Sequence, residues 1–300
     1  MTEVTEAPLR AAGFRGALRL EEPLAPLTTW RIGGPAEILA VPKDRDDLVL
    51  AVRWAREQGL PWRVLGNGSN LLVPDAGVRG LVLQVRKVLD EVGWDGPRVR
   101  AGAGVLVPVL ANLAAKRGLA GLEFGAGIPG TLGGALVMNA GWHQWEIGHS
   151  VEEVAWLSPE GEVRTLLANA CGFRYRGSFF RDRGGIVLEA VLRLKPEDPQ
   201  AVLPRLEAFA TSRKTHQPTE LPSCGSVFLK PEGDFAGRLI EQAGLKGHRV
   251  GGIEVSSKHA NFFVNVGAGT AADVLALVVE VERTVLARFG VRLTREFVEW

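Results

Sequence analysis

The apolar residues of the chain recur at helical spacing in several segments. Residues 44–58 and 271–289 carry apolar side chains every three or four positions, the period of an amphipathic helix. Thr270 and Asp273 are spaced like the two members of a capping box at the start of the second segment. The pattern, together with glycines at several segment ends, predicts helices over residues 44–58, 107–117, 200–213, 235–243 and 271–289.

Short apolar or alternating runs between these helices predict strands. Ser158–Gly161 has the composition of a tight turn and joins two of the runs as a hairpin. In the last run, alternation would place Glu296 on the same face as Arg292 and Thr294. The mixture predicts an α+β fold in which residues 196–199 form a linker. The predicted strands are 62–65, 80–85, 98–101, 151–157, 163–167, 186–194, 226–229, 252–255, 260–266 and 291–298.

Composition narrows the class of protein. The chain has 300 residues, enough for two or three folding units, and 46% of them are hydrophobic, as in ordinary globular proteins. A net charge of +1 argues against a general nucleic-acid binder. Two cysteines and five histidines without metal-ligand spacing predict neither a disulfide framework nor a metal site. Residues 1–22 lack the apolar core of an export signal, and no apolar run is long enough to span a bilayer, so a cytoplasmic location is expected.

Two glycine-rich segments are candidates for cofactor binding. Gly66–Asn70 follows a predicted strand, and its main-chain amides are suited to a pyrophosphate, although Asn-Gly also occurs in ordinary turns. Residues 125–141 contain a literal GxGxxG motif, but Pro129 removes an amide and no clean strand leads into it. A Rossmann site is therefore rejected. Close approach of the main chain to a large flat cofactor, such as a flavin, explains these glycines better than a turn.

Three further segments carry polar groups with chemical potential. Arg176 lies among aromatic residues and is better suited to a carboxylate or phosphate than to nucleic acid. Ser226 follows a glycine and precedes a predicted strand, where its hydroxyl either projects into a cleft or bonds the local backbone. As a proton donor it would need a strongly basic acceptor, such as a carbanion. Glu296 near a strand end is either solvated or part of a site.

Ten segments, in order from Thr28 to nearly the last residue, resemble one enzyme family. Together they resemble the UDP-N-acetylenolpyruvoylglucosamine reductases, which use FAD to complete UDP-N-acetylmuramate. A single motif of this kind has little specificity, whereas an ordered series is highly specific. The segments are Thr28–Gly34, Leu65–Val73, Gly127–Gly130, Gly133–Ala135, Met138–Gly141, Tyr175–Phe180, Cys224–Phe228, Gly247–Gly252, Lys258–Asn261 and the strand of Glu296.

The resemblance implies a three-part chain. Residues 1–65 and 66–195 would bind FAD in the manner of the PCMH/vanillyl-alcohol-oxidase flavoproteins, and residues 200–300 would form a C-terminal α+β substrate domain. Hydride would pass from NADPH through the flavin to the enolpyruvyl methylene carbon of a UDP-linked amino sugar. The Gly66–Asn70 loop contains neither His nor Cys, so FAD is expected to bind non-covalently.

The resemblance also implies roles for individual residues. Ser226 would protonate the carbon next to the carboxylate, while Arg176 and Glu296 would hold that carboxylate and stabilise the enolate-like intermediate. Protonation of Glu296 beside an anion would require a raised pKa, and its protonation state stays open. Lys214, with Lys230, His259 and Tyr175, would contact substrate, Lys214 at its diphosphate. The residues implied in cofactor binding are Arg31, Gly66, Asn67, Gly68, Ser69, Asn70, Gly127, Ile128, Pro129, Gly130, Gly133, Gly134, Asn139, Ala140 and Gly141.

One departure and two alternatives remain. Tyr175 is the only tyrosine, so the chain would belong to the branch that lacks a tyrosine-bearing loop over the substrate. A flavin oxidase of the same superfamily, acting on a sugar or lactone, would explain the glycine-rich segments but not Cys224–Phe228 or Arg176. A non-catalytic protein that binds a nucleotide sugar is the other alternative.

Overall fold

The computed structural model describes residues 7–300, and the chain divides into two compact units. Both units are assembled from segments that are distant in sequence. Within residues 7–300, no helix is both long and apolar enough to cross a membrane. The expectation that residues 1–22 hold no export signal falls partly outside the described residues. Unit 1 comprises Met1–Glu21, Glu37–Asn67 and Arg79–Thr211, and unit 2 comprises Glu22–Ala36, Gly68–Val78 and Ser212–Trp300.

The elements are numbered in chain order. The α-helices are α1 (Ala7–Ala11), α2 (Arg45–Glu57), α3 (Val107–Lys116), α4 (Leu132–Met138), α5 (Phe179–Arg183), α6 (Pro199–His216), α7 (Ala236–Gln242) and α8 (Ala271–Phe289). The strands are β1 (Ala17–Pro23), β2 (Pro35–Val41), β3 (Trp62–Leu65), β4 (Leu71–Leu72), β5 (Val78–Gln84), β6 (Val92–Asp95), β7 (Arg98–Gly102), β8 (Leu119–Ala120), β9 (Gly141–Trp142), β10 (Trp145–Glu146), β11 (Val151–Leu157), β12 (Val163–Leu167), β13 (Ile186–Arg193), β14 (Lys195–Pro196), β15 (Arg249–Val250), β16 (Ile253–Val255), β17 (Phe263–Asn265) and β18 (Val298–Glu299). Short 3-10 helices occupy Ala25–Leu27, Glu123–Gly127, Ile147–Ser150 and Ala168–Ala170.

The first sheet has the strand order β1-β2-β5-β3, with β3 and β5 parallel. Asp44 caps the N-terminus of helix α2, since its side chain accepts a hydrogen bond from Asp47 N. The apolar stripe of α2 is buried as predicted. Asp47 is itself buried, and its carboxylate accepts from the amides of Arg15, Gly16 and Lys43 at 2.7–2.9 Å. These bonds satisfy the buried charge and tie the connection into β1 to the start of α2.

The second sheet of unit 1 is antiparallel throughout, in the order β12-β11-β13-β7-β6. The hairpin predicted at Ser158–Gly161 is confirmed, since Gly161 N donates to Ser158 O at 2.9 Å and β11 pairs with β12. Helices α3 and α4 contribute apolar residues to the core of this part of the unit. Gly118 has a φ of +67°, which lets the chain leave α3 in the left-handed conformation.

Unit 2 packs α7 and α8 with the three-stranded sheet β15-β16-β17. The stripe predicted along α8 is fully buried, and each such Val or Leu contributes about 1.5–3 kcal/mol to stability. Thr270 and Asp273 form the predicted capping box. Asp75 adds a second cap, because its carboxylate accepts from the amides of Ala271 and Ala272 at 2.8 and 3.0 Å.

Two of the predicted strands are wrong. Residues 226–229 and 291–298 form no continuous ladder and meet neighbouring chain through the isolated bridges Ser226↔Phe262 and Phe228↔Arg295. The side chain of Asn261 explains the interruption, since it bonds both main-chain groups of Phe228 and so replaces a strand partner. The end of the chain instead contributes the two-residue strand β18, which is parallel to β4.

Candidate active site

Arg176 occupies a tight turn in unit 1. Reciprocal hydrogen bonds of 3.0 and 2.9 Å between Arg174 and Gly177 close the turn. Arg176 has a φ of +51°, and Tyr175 before it does not share this conformation. A positive φ at the third residue alone is the pattern of a type II turn, where glycine is favoured. The half-buried guanidinium donates to Gly141 O at 3.1 Å, which gives it a fixed direction.

Ser226 lies in unit 2 directly after Gly225, whose φ is +87°. Its neighbours Val227 and Phe228 are buried, and Val227 N donates to Asn261 O at 2.8 Å. The half-buried Ser226 hydroxyl itself has no hydrogen bond within residues 7–300. A serine that only bonded the local backbone would show such a bond. This hydroxyl is therefore available to a ligand.

Glu296 lies beside the segment of Ser226 in unit 2. Its amide donates to Val227 O at 2.8 Å, and its carbonyl accepts from the side chain of Asn70 at 3.2 Å. The pKa of the Cys224 thiol is raised well above its ordinary value by burial, and further by the charge of Glu296. Because residues 291–298 are not a strand, the predicted sharing of a face with Arg292 and Thr294 has no basis. The structure places the main chain of Glu296 against Val227, the neighbour of Ser226, and Arg176 belongs to unit 1.

The glycine-rich segment of unit 1 is explained partly by packing within the protein. A Cβ atom on Gly133 would lie 2.9 Å from Ala103 Cβ, and one on Gly141 would lie 2.0 Å from Trp145 O. Gly125 is equally constrained by Val107, at 2.8 Å. Packing within the protein therefore already requires glycine at these positions, and the cofactor role predicted for Gly133 and Gly141 stays a prediction. Gly134 differs, since it is exposed and its Cβ would meet only Thr131 Oγ1, at 3.6 Å.

The remaining cofactor candidates of unit 1 fall into two groups by burial. Asn67 donates its side-chain amide to Pro129 O at 2.5 Å, and a Cβ atom on Gly66 would lie 2.7 Å from Thr131 Oγ1. The loop after β3 thus contacts the start of α4. Half-buried or exposed candidates are Gly66, Asn67, Ile128, Pro129, Gly134, Ala140 and Gly141, and buried ones are Gly127, Gly130, Gly133 and Asn139.

Unit 2 holds the rest of the predicted cofactor residues. Gly68 O accepts from the amide and hydroxyl of Thr29, and a Cβ atom on Gly68 would lie 2.6 Å from Leu27 O. Arg31 is exposed and has a φ of +57°. The Asn70 side chain donates a hydrogen bond to Glu296 O. Ser69 is half-buried, and its hydroxyl has no hydrogen bond within the described residues. The amides of Gly68 and Ser69 donate to no acceptor among residues 7–300, which leaves them for an anionic group.

The predicted substrate residues differ in how firmly they are held. Lys214 and Lys230 are exposed, and the Lys230 ammonium lies 4.5 Å from the ring centre of Phe235. Tyr175 is also exposed, with its ring 5.1 Å from the Arg176 guanidinium carbon. His259 is half-buried, its pKa is lowered mainly by burial, and its Nδ1 accepts from Asn261 N at 3.2 Å. The neutral ring therefore carries its proton on Nε2, where it can donate to a ligand.

Two polar residues at the end of α6 were missed by the sequence prediction. The Arg213 guanidinium has no hydrogen-bond or ion-pair partner within the described residues, and burial lowers its pKa to about 10. Gln217 follows one turn later, and its buried Oε1 also lacks a partner in that part of the chain. A desolvated cation and an orphaned acceptor are costly unless a ligand pairs with them. Their spacing of four residues, next to Lys214, was the available signal.

Comparisons with known proteins agree across nearly the whole chain. A family model described as an FAD binding domain matches residues 36–167, and one described as the C-terminal domain of UDP-N-acetylenolpyruvoylglucosamine reductase matches residues 217–300. UDP-N-acetylenolpyruvoylglucosamine reductase 2 from Symbiobacterium thermophilum is 47% identical over 285 residues, which cover 95% of this chain and 92% of the relative. The UDP-N-acetylenolpyruvoylglucosamine reductase from Rubrobacter xylanophilus is 48% identical, and the match covers 93% of this chain and 94% of the relative.

A solved structure shows the same likeness. The crystal structure of UDP-N-acetylenolpyruvylglucosamine reductase from Thermus caldophilus matches with a TM-score of 0.80 and 38% sequence identity. The match covers 95% of this chain and 99% of that chain. The likeness therefore includes both units.

Proposed function

The chain belongs to the UDP-N-acetylenolpyruvoylglucosamine reductase family, and from this premise we propose how its residues carry out that reaction. The protein is an FAD-containing oxidoreductase of peptidoglycan precursor synthesis with an α+β fold. It reduces UDP-N-acetylglucosamine enolpyruvate to UDP-N-acetylmuramate, with NADPH as the reductant. This conclusion rests on sequence identity to a reductase of this family over more than nine-tenths of the chain.

The residues present fit a dinucleotide cofactor held by main-chain groups. In unit 1, the exposed Gly134 leaves room above the first turn of α4. Gly66, which has no side chain, allows the loop after β3 to contact Thr131. In unit 2, the amides of Gly68 and Ser69 have no acceptor among the described residues. We assign these groups, with Arg31, Ile128, Pro129 and Ala140, to FAD, bound without a covalent link. Bound FAD supplies the hydride transfer between NADPH and the enolpyruvyl methylene carbon.

Ser226, Arg176 and Glu296 act on the enolpyruvyl group in this proposal. Hydride addition to the methylene carbon moves the double-bond electrons onto the carbon next to the carboxylate. Ser226 then donates its proton to that carbon, which is basic enough to accept it from an unactivated hydroxyl. Arg176 pairs with the carboxylate and stabilises the charge that develops there. Glu296, whose amide bonds the carbonyl of Val227 next to Ser226 in unit 2, contacts the same group.

The anionic remainder of the substrate requires cations. Arg213 is the strongest candidate, because its guanidinium is desolvated and lacks a partner in the described chain. A phosphate or carboxylate would restore the hydrogen bonds that burial removes. Lys214 and Lys230 add exposed positive charge, and His259 offers its Nε2 proton. We propose that Lys214 and Arg213 together take the diphosphate.

The test separates the two half-reactions of the holoenzyme under anaerobic stopped flow. NADPH should bleach the flavin, and the enolpyruvyl substrate should then restore its colour. Ser226→Ala should slow the second step by about 10²–10⁴-fold, the usual contribution of general acid catalysis, and leave the first unchanged. If both the return of flavin colour and the formation of the protonated product proceed at the wild-type rate in the variant, the role of Ser226 is wrong.

A matched control and the two alternatives are outcomes of the same experiment. Ser223→Ala makes the same substitution three residues earlier and should leave both steps near the wild-type rate. When the anaerobically reduced protein is mixed with oxygen in a separate run, a flavin oxidase would regain its colour faster than with enolpyruvyl substrate. A colourless protein that cannot be reconstituted with FAD would indicate a non-catalytic nucleotide-sugar binder.

Three expectations from the sequence stay predictions. They are the division at residues 65–66 and 195–200, the cytoplasmic location, and independence from nucleic acid, membrane and metal. The first sheet includes β5, so a cofactor subdomain built around it extends beyond residue 65.

A further inference from the structure

Asn139 was predicted as a cofactor ligand, but its side chain is fully engaged inside unit 1. It is 1% exposed. Its amide nitrogen donates to Glu146 Oε2 at 2.7 Å and to Arg174 O at 3.1 Å, and its Oδ1 accepts from Gly148 N at 3.0 Å. An asparagine amide has two hydrogens to donate, so neither is left for a cofactor.

These bonds close a ring around Arg176. The Arg176 guanidinium donates to Gly141 O, and Gly141 pairs with Glu146 across the hairpin β9–β10. Glu146 accepts a hydrogen bond from the Asn139 side chain. The same side chain donates to the carbonyl of Arg174, the first residue of the turn that carries Arg176. Asn139 thus bonds both the hairpin that supplies the acceptor and the turn that carries the guanidinium.

The backbone of this region is strained at several positions. Seven non-glycine residues in the described chain have positive φ, and three of them, Asn139, His143 and Arg176, lie in this hairpin and turn. For Arg176 the left-handed conformation is unfavourable, because its Cβ atom crowds the following carbonyl oxygen. Such a conformation persists only where the surroundings fix it, and it clusters at functional sites. Here the surroundings include Arg181, whose guanidinium bonds Arg176 O at 2.5 Å.

We propose that Asn139 is a positioning residue for Arg176 and does not bind the cofactor. Its amide locks the turn and the hairpin together, so that the guanidinium is aimed before the substrate arrives. The inference rests on the role proposed above for Arg176. It replaces the cofactor role expected from the sequence with an effect on the step that uses Arg176.

The test is a double-mutant cycle on the holoenzyme with Asn139→Gly and Arg176→Ala. Glycine removes the side chain and tolerates the left-handed backbone at this position. Asn139→Gly should slow the return of flavin colour with enolpyruvyl substrate by about 100-fold, the effect of misplacing a reacting group by about 1 Å. In the Arg176→Ala background, the same change should cost less than about 2-fold, because the group that it positions is gone.

Two further readouts distinguish positioning from cofactor binding. The dissociation constant of FAD and the rate of flavin reduction by NADPH should both stay within about 3-fold of wild type. An FAD dissociation constant raised about 10-fold or more, or effects of the two substitutions that multiply, would overturn the inference. If Arg176→Ala itself leaves the second step unchanged, the proposed function of Arg176 fails instead.

A second variant and a control guard against loss of folding. Glu146→Ala removes one acceptor of the Asn139 amide from the hairpin, and it should slow the same step while the protein melts cooperatively. A wild-type rate in a folded Glu146→Ala protein also overturns the inference. Ser158→Ala removes another buried side chain that organises a hairpin of unit 1, where it accepts from Glu160 N and Glu162 N. This control should lower thermal stability and leave both half-reactions unchanged.

Discussion

The turn of Arg176 in unit 1 and the segment of Ser226 in unit 2 both lie outside regular secondary structure, yet they are held in different ways. Side chains hold the turn: Asn139 bonds Arg174 O, Arg181 bonds Arg176 O, and Arg174 pairs with Asp182. The main chain of the Ser226 segment is bonded from both sides, by the main chains of Asn261 and Glu296 and by the side chain of Asn261. The turn also contains a strained residue, whereas the segment uses a glycine where φ is positive.

The difference concerns what each region must deliver. A guanidinium on a long side chain has many rotamers, so aiming it requires additional contacts along its length. A serine hydroxyl is one bond from the Cβ atom, and fixing the backbone is almost enough to fix the oxygen. We therefore expect substitutions around the Arg176 turn to lower mainly the reaction rate. Substitutions around the Ser226 segment should lower mainly the free energy of unfolding.

The largest effect should come from Asn261, the residue that fixes the Ser226 segment. Its side chain is buried, accepts from Phe228 N at 3.0 Å and donates to Phe228 O at 2.8 Å. Asn261→Ala leaves two buried main-chain groups without partners, each worth about 1–3 kcal/mol. The free energy of unfolding, measured by denaturant titration, should fall by about 2–4 kcal/mol.

Asn261→Asp is the matched variant for this prediction. The carboxylate keeps an acceptor for Phe228 N but loses the donor to Phe228 O, and it places a charge among buried groups. It should also be clearly destabilised. If Asn261→Ala unfolds at the wild-type denaturant concentration, the side chain does not hold the segment.

A smaller effect is expected at Arg176, where two substitutions should slow the reaction alike but differ in stability. Arg176→Ala and Arg176→Gly both remove the guanidinium, and both should slow the step that consumes enolpyruvyl substrate. They differ in the backbone, because alanine keeps the strain of a positive φ and glycine relieves it. The glycine variant should unfold with a free energy about 1 kcal/mol higher than the alanine variant. Equal stabilities would mean that the turn is not strained at this residue.

The sequence predicted most of the regular structure and less of the site. The buried stripe of α8, its capping box and the Ser158–Gly161 hairpin were all confirmed, because each depends on residues close together in the chain. The strand at residues 291–298 was wrong, since its alternation is local but its pairing depends on the distant Asn261 and Phe228. The partnerless Arg213 was missed for the same reason: burial without a partner is a property of the fold.

The smallest effect concerns acid and the ion pair that supports the Arg176 turn. Arg174 bonds both carboxylate oxygens of Asp182, at 2.7 and 2.9 Å, and this hydrogen bonding lowers the pKa of Asp182 below its ordinary value. A lowered pKa means that the folded protein binds this proton less readily than the unfolded chain. The stabilisation is thus complete above the ordinary Asp pKa of 3.8 and is lost as the pH falls through the lowered folded-state value.

Asp182→Asn should therefore remove part of the drop in melting temperature between pH 5 and pH 2 (about the range in which a paired Asp titrates). At neutral pH it should also slow the enolpyruvyl step by about 2- to 5-fold, a modest change because the pair is exposed. Asp234→Asn is the matched control, since Arg238 lowers the pKa of Asp234 in the same way in unit 2. It should reduce the acid sensitivity similarly and leave the rate unchanged. If both variants slow the enolpyruvyl step equally, the support of the turn is not specific to its own ion pair.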